Sequence, residues 1–220
     1  MGASTFFSDE DRNRIQDAVE AAETRTSGEI VPVIVKSSAD YGFVKWKAAF
    51  FGVLRGLAVF ELITMQADGW SEPGLIGALG VPLMIGLGAG LMVLLVRFLP
   101  VVRRRFIPQS AIDVAVHNRA LRAFLEHEVF GTRERTGILL LVSLFEHRVE
   151  VVGDSGINEK VSEDDWADVV SDIVRGIKSG QPTDGIVKAV ERCGELLESA
   201  GVAIRADDTN ELSDAPRFES

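Results

Sequence analysis

The chain has 220 residues, 46% of which are hydrophobic, and its formal net charge at pH 7 is -10. This length suits one domain of ordinary size or two small ones, and the apolar fraction excludes global disorder. The acidic balance argues against nucleic-acid binding, because phosphate contacts need clustered Lys and Arg, and the one basic cluster is short, at 103–105. The single cysteine, Cys193, excludes an intramolecular disulfide and a cysteine-rich metal site.

The first elements belong to an α/β domain. Ser8 is a plausible N-cap for a helix over 9–25, with apolar residues recurring on one helical face. The stretch EIVPVIVK then predicts a short apolar strand over 30–35, in which Pro32 suits a sheet edge or a bulge. Residues 1–42 are therefore assigned to the first part of this domain.

Two apolar segments follow, at about 48–65 and 74–96, and they predict a transmembrane helical hairpin within residues 43–105. A bilayer core needs roughly 20 apolar residues in a helix, and the second segment carries no charge between Glu72 and Arg97. The alternative is a hairpin buried in a soluble core. That alternative needs more chain than remains here to cover two helices that are apolar all round.

The charges that flank the two spans predict their orientation. Lys45 and Lys47 precede the first span, Arg97 and the cluster at 103–105 follow the second, and the connecting loop carries acids without a base. By the positive-inside rule, both termini and the α/β domain are cytoplasmic. We therefore expect the protein in a bacterial inner (plasma) membrane, with the lipid bilayer as a partner.

Small residues recur within both spans. Gly52 and Gly56 in the first span, and Gly86 and Gly90 in the second, are spaced four residues apart. Each pair exposes backbone on one face of its helix, so that the two spans, or two protomers, can pack closely. The alternative is simple flexibility of glycine-rich helices.

After the hairpin the α/β domain resumes, over residues 106–204. Apolar periodicity predicts a helix at 110–129, a strand buried on both faces at 137–144, an antiparallel partner strand in RVEVVGD, and amphipathic helices at 163–178 and 183–199. A strand, a helical crossover and a second strand form a parallel pair. The expected fold is a three-layer α/β/α sandwich with a small mixed sheet, interrupted by the inserted hairpin. Residues 205–220 are expected to be a disordered acidic tail.

This strand order brings several polar residues to one sheet edge. Glu29 starts the first strand, Glu134 and Arg135 precede the second, and Asp154 follows the third, antiparallel strand. The carboxylates of Glu29, Glu134 and Asp154 are candidate ligands for a divalent cation, and Arg135 with nearby backbone N–H groups can hold a phosphate. The alternative is that acids and glycines only terminate the strands.

These segments resemble the TPM domain family, named for a thylakoid lumen protein, a photosystem II repair protein and an accessory protein of a levamisole-sensitive receptor. The resemblance runs through TRTSGEI, then through NRALRAFLEHEVFGTRERTGILLLVSLFEHRVEVVGDSGINEKVSEDDW and the helix after it. It covers the soluble part from about Phe6 to Ala200, and is strongest to bacterial, membrane-anchored members. It implies the same α/β/α sandwich.

The resemblance implies more than one activity. Family members include acid phosphatases, proteins that bind a divalent metal at one sheet edge, and assembly, repair or clustering factors of membrane complexes. The plant phosphatases carry an Asp-Asn-Arg-Gly loop before the central strand. The corresponding stretch here, Glu134-Arg135-Thr136-Gly137, keeps a carboxylate, the Arg and the Gly but lacks the Asp and Asn.

We therefore expect an accessory, assembly or quality-control factor for a membrane complex. Its partner would be a membrane protein or a second copy bound through the hairpin, and the resemblance admits a bound calcium or magnesium ion. One alternative is a weak acid or metal-dependent phosphatase with Glu134, Arg135 and Asp154 as catalytic residues. The other is an inert structural anchor.

Overall fold

The computed structural model describes residues 6–66, 75–204 and 210–219. They divide into two compact units, one drawn from Met1–Ala39 and Ile112–Ser220 and the other from Asp40–Ala111. The second unit interrupts the first in sequence. This division agrees with the predicted insertion of a hairpin into an α/β domain.

The α/β unit begins with helix α1, Asp9–Glu23, and Ser8 caps it as predicted. The Ser8 hydroxyl accepts the Asp11 backbone N–H at 3.1 Å, and the Asp11 carboxylate accepts the Ser8 N–H at 2.9 Å. This reciprocal capping box satisfies backbone donors that the first helical turn leaves unpaired. The predicted apolar face of α1 is buried, at Ile15, Ala18, Val19 and Ala22.

The sheet has four strands in the order β3-β2-β1-β4. These are β1 (Glu29–Val35), β2 (Gly137–Ser143), β3 (Arg148–Gly153) and β4 (Arg217–Glu219). β1 pairs with β2 in parallel and β2 pairs with β3 antiparallel, as predicted. Every residue of β1 and β2 is buried, as expected for strands covered on both faces.

Helices cover one face of the sheet with the main hydrophobic core. Side chains of α1, α7 (Ala167–Ser179) and α8 (Pro182–Ser199) pack there against alternate residues of the strands, among them Ile34 and Leu140. Cys193 is buried in α8 within this core. This core forms the first helical layer of the sandwich.

The opposite face carries further fully buried strand residues, such as Val33 and Leu141, and it is covered by α5, Gln109–Glu126. Polar contacts of α5 and of the residue after it reach the strands at both edges of the sheet, β3 and β4. His117 Nδ1 lies 2.9 Å from Glu150 Oε1 of β3, and His127 Nε2, just after the helix, lies 2.8 Å from Glu219 Oε1 of β4. The predicted three-layer α/β/α sandwich is therefore confirmed.

The prediction of a disordered tail over 205–220 is wrong for the part that the structure describes, residues 210–219. Residues 210–219, here called the tail segment, lie against the sheet, and their strand β4 pairs in parallel with Val33–Val35 of β1. Phe218 explains much of this order because its ring lies 5.3 Å from that of Phe7, in the core. The β4 ladder begins after Pro32, which agrees with the predicted edge position for that proline.

A buried carboxylate ties the carboxyl end of β1 to the turn after β2. Glu146 is fully buried and accepts the Ser38 backbone N–H at 3.0 Å, the Ser37 hydroxyl at 3.0 Å and the Ser143 hydroxyl at 2.5 Å. A buried charge is stable only when such hydrogen bonds replace its water. Glu146 thereby fixes the point at which the chain leaves the sheet for the inserted unit.

The inserted unit contains α2 (Phe43–Gln66), α3 (Leu75–Phe98) and the short basic helix α4 (Pro100–Arg105). By length and composition, α2 and the stretch Leu79–Phe98 are long and apolar enough to cross a membrane. The loop between the two predicted spans, residues 66–73, lies outside the described residues except for Gln66. The two helices therefore match the predicted hairpin at the level of secondary structure and composition.

Candidate functional site

The register of the sheet brings the predicted polar residues toward one edge. Glu29 of β1 is paired with Gly137 of β2, and Ile138 of β2 is paired with Gly153 of β3. The amino ends of β1 and β2 and the carboxyl end of β3 therefore meet, as the strand order predicted. Within this edge, the carboxylates fall into two separate environments.

In the first environment, Arg135 and Asp154 form an ion pair, with Arg135 Nε 2.8 Å from Asp154 Oδ2. The Asp154 side chain is 5% exposed and that of Arg135 is 53% exposed. The other oxygen of Asp154 accepts the Ser155 backbone N–H at 2.6 Å, where the short helix α6, Ser155–Asn158, begins. The pair therefore joins the loop before β2 to the turn after β3.

The backbone around this pair is closely packed. Arg135 has a left-handed backbone, with φ 59°, which costs energy for a residue with a side chain. Its carbonyl accepts the Gly156 N–H at 3.0 Å, and a Cβ on Gly156 would collide with the carbonyl of Glu134. Gly156, the second glycine of GDSG, is thus needed for the close approach of the loop before β2 to the turn after β3. It does not mark a flexible turn.

Glu134 is exposed in the loop that precedes this pair. Glu29 lies in the second environment, where its carboxylate accepts two backbone N–H groups of the tail segment, from Glu211 at 3.0 Å and Leu212 at 3.2 Å. The three predicted ligands therefore lie in different surroundings. Asp154 is in an ion pair, Glu134 is in the loop beside it, and Glu29 contacts the tail segment.

Glu29 lines a cavity of about 360 Å³ that we call the acidic cavity. Its walls come from the end of α1, the start of β1 and the tail segment. Four carboxylates face it with two threonines, an asparagine and one apolar residue: Glu20, Glu23, Glu29, Asp214, Thr24, Thr26, Asn210 and Ile204. A cavity lined by four carboxylates favours a proton or a cation over a phosphate.

Burial and repulsion between carboxylates raise the pKa values of Glu23 and Glu29 in the acidic cavity. Burial raises the pKa of Glu23 to about 8, against a lowering effect from the Ile30 N–H that it accepts at 2.8 Å. The nearby carboxylates of Glu29 and Asp214 raise the Glu23 pKa further. Burial also raises the pKa of Glu29, although the N–H groups of Glu211 and Leu212 oppose that shift.

The geometry of a metal centre is not found among residues 6–66, 75–204 and 210–219: in these ranges, no group of three or more His, Cys, Asp or Glu side chains is arranged to hold an ion. Of the predicted ligands, Asp154 is paired with Arg135, and Glu29 accepts two backbone N–H groups. As placed, the three predicted ligands do not fit a single ion.

Sequence reasoning missed Glu23, Asp214 and Asn210 as members of this edge. Glu23 occupies the last turn of α1, where an acid next to the carboxyl end of a helix is unfavourable and therefore signals another role. Asp214 and Asn210 belong to the predicted disordered tail, whose composition gave no sign of docking. Only the folded structure shows that both residues line the acidic cavity.

These features define an α/β/α sandwich protein whose sheet is interrupted after its first strand by an apolar helical hairpin. The profile of the TPM domain family matches residues 101–196, which span α5, β2, β3, α7 and most of α8. Residues 101–196 therefore match a TPM domain, in agreement with the sequence resemblance over this part of the sandwich.

Other comparisons add fold evidence. The NMR structure of BA42 protein from the psychrophilic bacterium Bizionia argentinensis is similar, with a TM-score of 0.57 and 21% sequence identity. The similarity covers 96% of this chain and 94% of that chain. At this identity, the likeness supports the fold alone. The comparison with curated proteins gives no match.

Proposed function

We propose that this chain is a membrane-anchored TPM domain that works by interaction, as an accessory, assembly or quality-control factor for a membrane protein complex. The observation that carries the proposal is the apolar surface of the hairpin. Leu83, Leu87 and Leu91 are spaced along α3 and expose 61%, 59% and 59% of their surface. Contiguous exposed apolar surface marks a membrane or protein contact.

The low burial of the hairpin supports a bilayer rather than a soluble core. In the most apolar windows of α2 and α3, only 17% and 6% of the residues are buried. Phe50 and Leu62 add exposed apolar surface on α2. A core helix of a soluble protein would bury most of such a surface, whereas lipid covers it on all sides.

Charge supports a cytoplasmic position for the TPM domain. The basic residues Arg103, Arg104 and Arg105 fill the last turn of α4, directly after the second apolar helix. Lys45 and Lys47 lie near the start of α2, whose last turn carries no basic residue. Positive charge at the ends that join the TPM domain favours retention of that side in the cytoplasm.

A phosphatase is the rival function, and the chemistry of the edge argues against it. Asp154, one of the predicted catalytic residues, already accepts the Ser155 N–H and pairs with Arg135. The neighbouring acidic cavity repels a phosphate. What favours the rival is the Arg135 guanidinium, which is half exposed and can bind a phosphate.

The proposed function does not depend on the calcium or magnesium ion that the resemblance implies, because the predicted ligands of that ion do not fit one site. Thermal unfolding of the full chain in mild detergent tests that prediction. A ligand at 100 times its Kd stabilises the folded state by about 2.7 kcal/mol. A shift with calcium or magnesium that is lost in Glu29→Gln would establish ion binding.

The experiment for the proposed function is photo-crosslinking in native membranes. A photoreactive residue at Leu87, exposed on α3, should give discrete adducts with a membrane protein or with a second copy. The matched control places the same residue at Ile186, which is fully buried in the sandwich and should give no adducts. Adducts with lipid alone at Leu87, Leu83 and Leu91 would support an inert anchor and contradict the accessory role.

A further inference from the structure

We propose that the outer edge of β1 is a peptide-binding groove, which takes an extended segment carrying an aromatic residue followed directly by a carboxylate. The tail segment occupies this groove in cis and so blocks it. The partner is an extended aromatic–acidic peptide of another protein, which adds a strand to β1 when the tail segment leaves. This surface belongs to the α/β unit and goes beyond the proposed function, which depends on the hairpin.

The first contact is between backbones. Three residues of the tail segment pair in parallel with β1, with Phe218 opposite Ile34 and Glu219 opposite Val35. The Lys36 N–H donates to the Glu219 carbonyl at 3.4 Å. Addition of a strand to an open sheet edge supplies main-chain hydrogen bonds to any extended peptide, whatever its sequence. A ladder of only three residues at a sheet edge opens locally at a lower free-energy cost than the core strands, which permits exchange.

The second contact recognises an aromatic side chain. Phe218 is turned to the face of the sheet that carries the main core, where its ring centroid lies 5.3 Å from that of Phe7. The Arg12 guanidinium carbon lies 4.9 Å from the centroid of the Phe218 ring. Aromatic and cation–π contacts of this kind favour an aromatic residue over an aliphatic one.

The third contact recognises a carboxylate on the opposite face. Since side chains alternate along a strand, Glu219 points to the layer of α5 when Phe218 points to the core. Arg119 of α5 makes an ion pair with Glu219 Oε2, and His127 Nε2 lies 2.8 Å from Oε1. The Arg119 side chain is only 15% exposed, and that of Glu219 23%. The groove therefore recognises two adjacent residues, Phe218 on the core face of the sheet and Glu219 on the α5 face.

Upstream contacts hold the tail segment mainly by its main chain. Glu29 accepts the N–H groups of Glu211 and Leu212, which requires no particular side chains there. The Arg133 N–H in turn donates to the Glu211 carboxylate at 2.9 Å. Apart from this Glu211 carboxylate, side-chain recognition is concentrated at Phe218 and Glu219, and a partner segment with the same two residues in sequence can replace the tail segment.

The test uses the full chain in mild detergent and a fluorescent peptide with the sequence of residues 210–220. In wild-type protein the tail segment fills the groove, so the peptide should bind weakly. The double variant Phe218→Ala, Glu219→Gln weakens its own tail segment, and should bind the wild-type peptide at least about ten-fold more tightly than wild-type protein does, as measured by anisotropy. Equal binding by the two proteins would overturn the proposal.

Peptide variants and a cut chain complete the test. Peptides with Phe218→Ala or Glu219→Gln should each bind the double-variant protein about ten-fold less tightly, whereas Ser213→Ala should not change binding. A second protein carries a protease site in place of residues 205–209 and is cut only after folding, with circular dichroism to confirm its structure. It should bind the peptide once the tail has been removed. Failure of the cut protein to bind the peptide, or equal binding of a scrambled peptide, would overturn the proposal.

Discussion

Gly52 of α2 and Gly88 of α3 meet backbone to backbone, such that a methyl group on either one would collide with the carbonyl oxygen of the other. Gly56 is packed in the same way against the Met84 carbonyl. By contrast, a Cβ at Gly86 or Gly90 would meet no atom within 4 Å. The hairpin thus uses the predicted glycine pair of α2 for its own packing, whereas the pair predicted on α3 points away from α2.

This arrangement predicts different effects of two similar substitutions on the stability of the hairpin. Gly52→Leu should destabilise the hairpin by about 1–3 kcal/mol, because the added side chain has no room between the helices. Gly90→Leu should leave hairpin stability nearly unchanged, since its side chain enters open space. Thermal unfolding in detergent micelles, followed by circular dichroism, measures both. Equal destabilisation by the two variants would contradict the packing.

Glu146 should be among the polar residues to which the sandwich is most sensitive. Glu146→Ala would leave the buried Ser38 N–H and the buried Ser143 hydroxyl without this acceptor, at a cost of about 3 kcal/mol. The matched control is Glu191→Ala on the exposed side of α8, which should change stability by less than about 0.5 kcal/mol. Denaturant titration of both variants distinguishes them, and a neutral Glu146→Ala would contradict the network.

The acidic cavity predicts that stability falls as the pH rises. Because the folded pKa of Glu23 is about 8 and its ordinary value is 4.5, the folded state keeps a proton that the unfolded state loses in this window. Stability is therefore largest below about pH 4.5 for this group and is lost as the pH approaches 8. The raised pKa of Glu29 acts in the same direction.

Glu23→Gln tests this pH dependence. The amide oxygen can still accept the Ile30 N–H, while the carboxylate charge is removed. The variant should be more stable than wild type near pH 8 and should show a shallower decline between pH 5 and 8 in thermal unfolding. Glu191→Gln, on an exposed surface, should keep the wild-type slope. An unchanged slope in Glu23→Gln would refute the assignment to this carboxylate.

The Arg135–Asp154 pair is predicted to be structural. Asp154→Ala removes the acceptor at the start of α6 and should lower stability by about 1–2 kcal/mol. Glu134→Ala, in the exposed part of the same loop, should have little effect on stability. Assays with phosphomonoesters should show no phosphate release by wild-type protein. Release that both variants abolish would instead support the phosphatase.

Local patterns were sufficient to predict three strands of the sheet and the hairpin. β2 is a continuous apolar run, β3 follows it closely enough to form a hairpin, and the crossover after β1 makes β1 and β2 parallel. The apolar helices α2 and α3 are long and uncharged over most of their length. These elements could be predicted because composition and periodicity are local properties of the sequence and do not depend on tertiary contacts.

The tail segment and the acidic cavity could not be predicted in this way. Arg217–Glu219 is too short for strand periodicity, and its pairing depends on Phe7, Arg119 and His127, which are distant in sequence. Likewise, Glu23 and Asp214 reach Glu29 only after the sandwich has formed. Convergence at the sheet edge was predictable from strand order, but the partner of each carboxylate was not.

Cysteine labelling in spheroplasts tests the central claim, that the hairpin crosses the membrane and holds the TPM domain in the cytoplasm. Cys193 is buried in α8, so Cys193→Ala gives a cysteine-free background. Single cysteines are then introduced at Ser71 in the connecting loop, Leu87 in α3 and Glu191 in α8. A membrane-impermeant maleimide should label Ser71→Cys in intact spheroplasts, Glu191→Cys only after lysis, and Leu87→Cys in neither condition. Labelling of Leu87→Cys in both conditions, or recovery of the protein in the soluble fraction, would contradict the membrane anchor. Labelling of Glu191→Cys in intact spheroplasts would contradict the cytoplasmic position of the TPM domain.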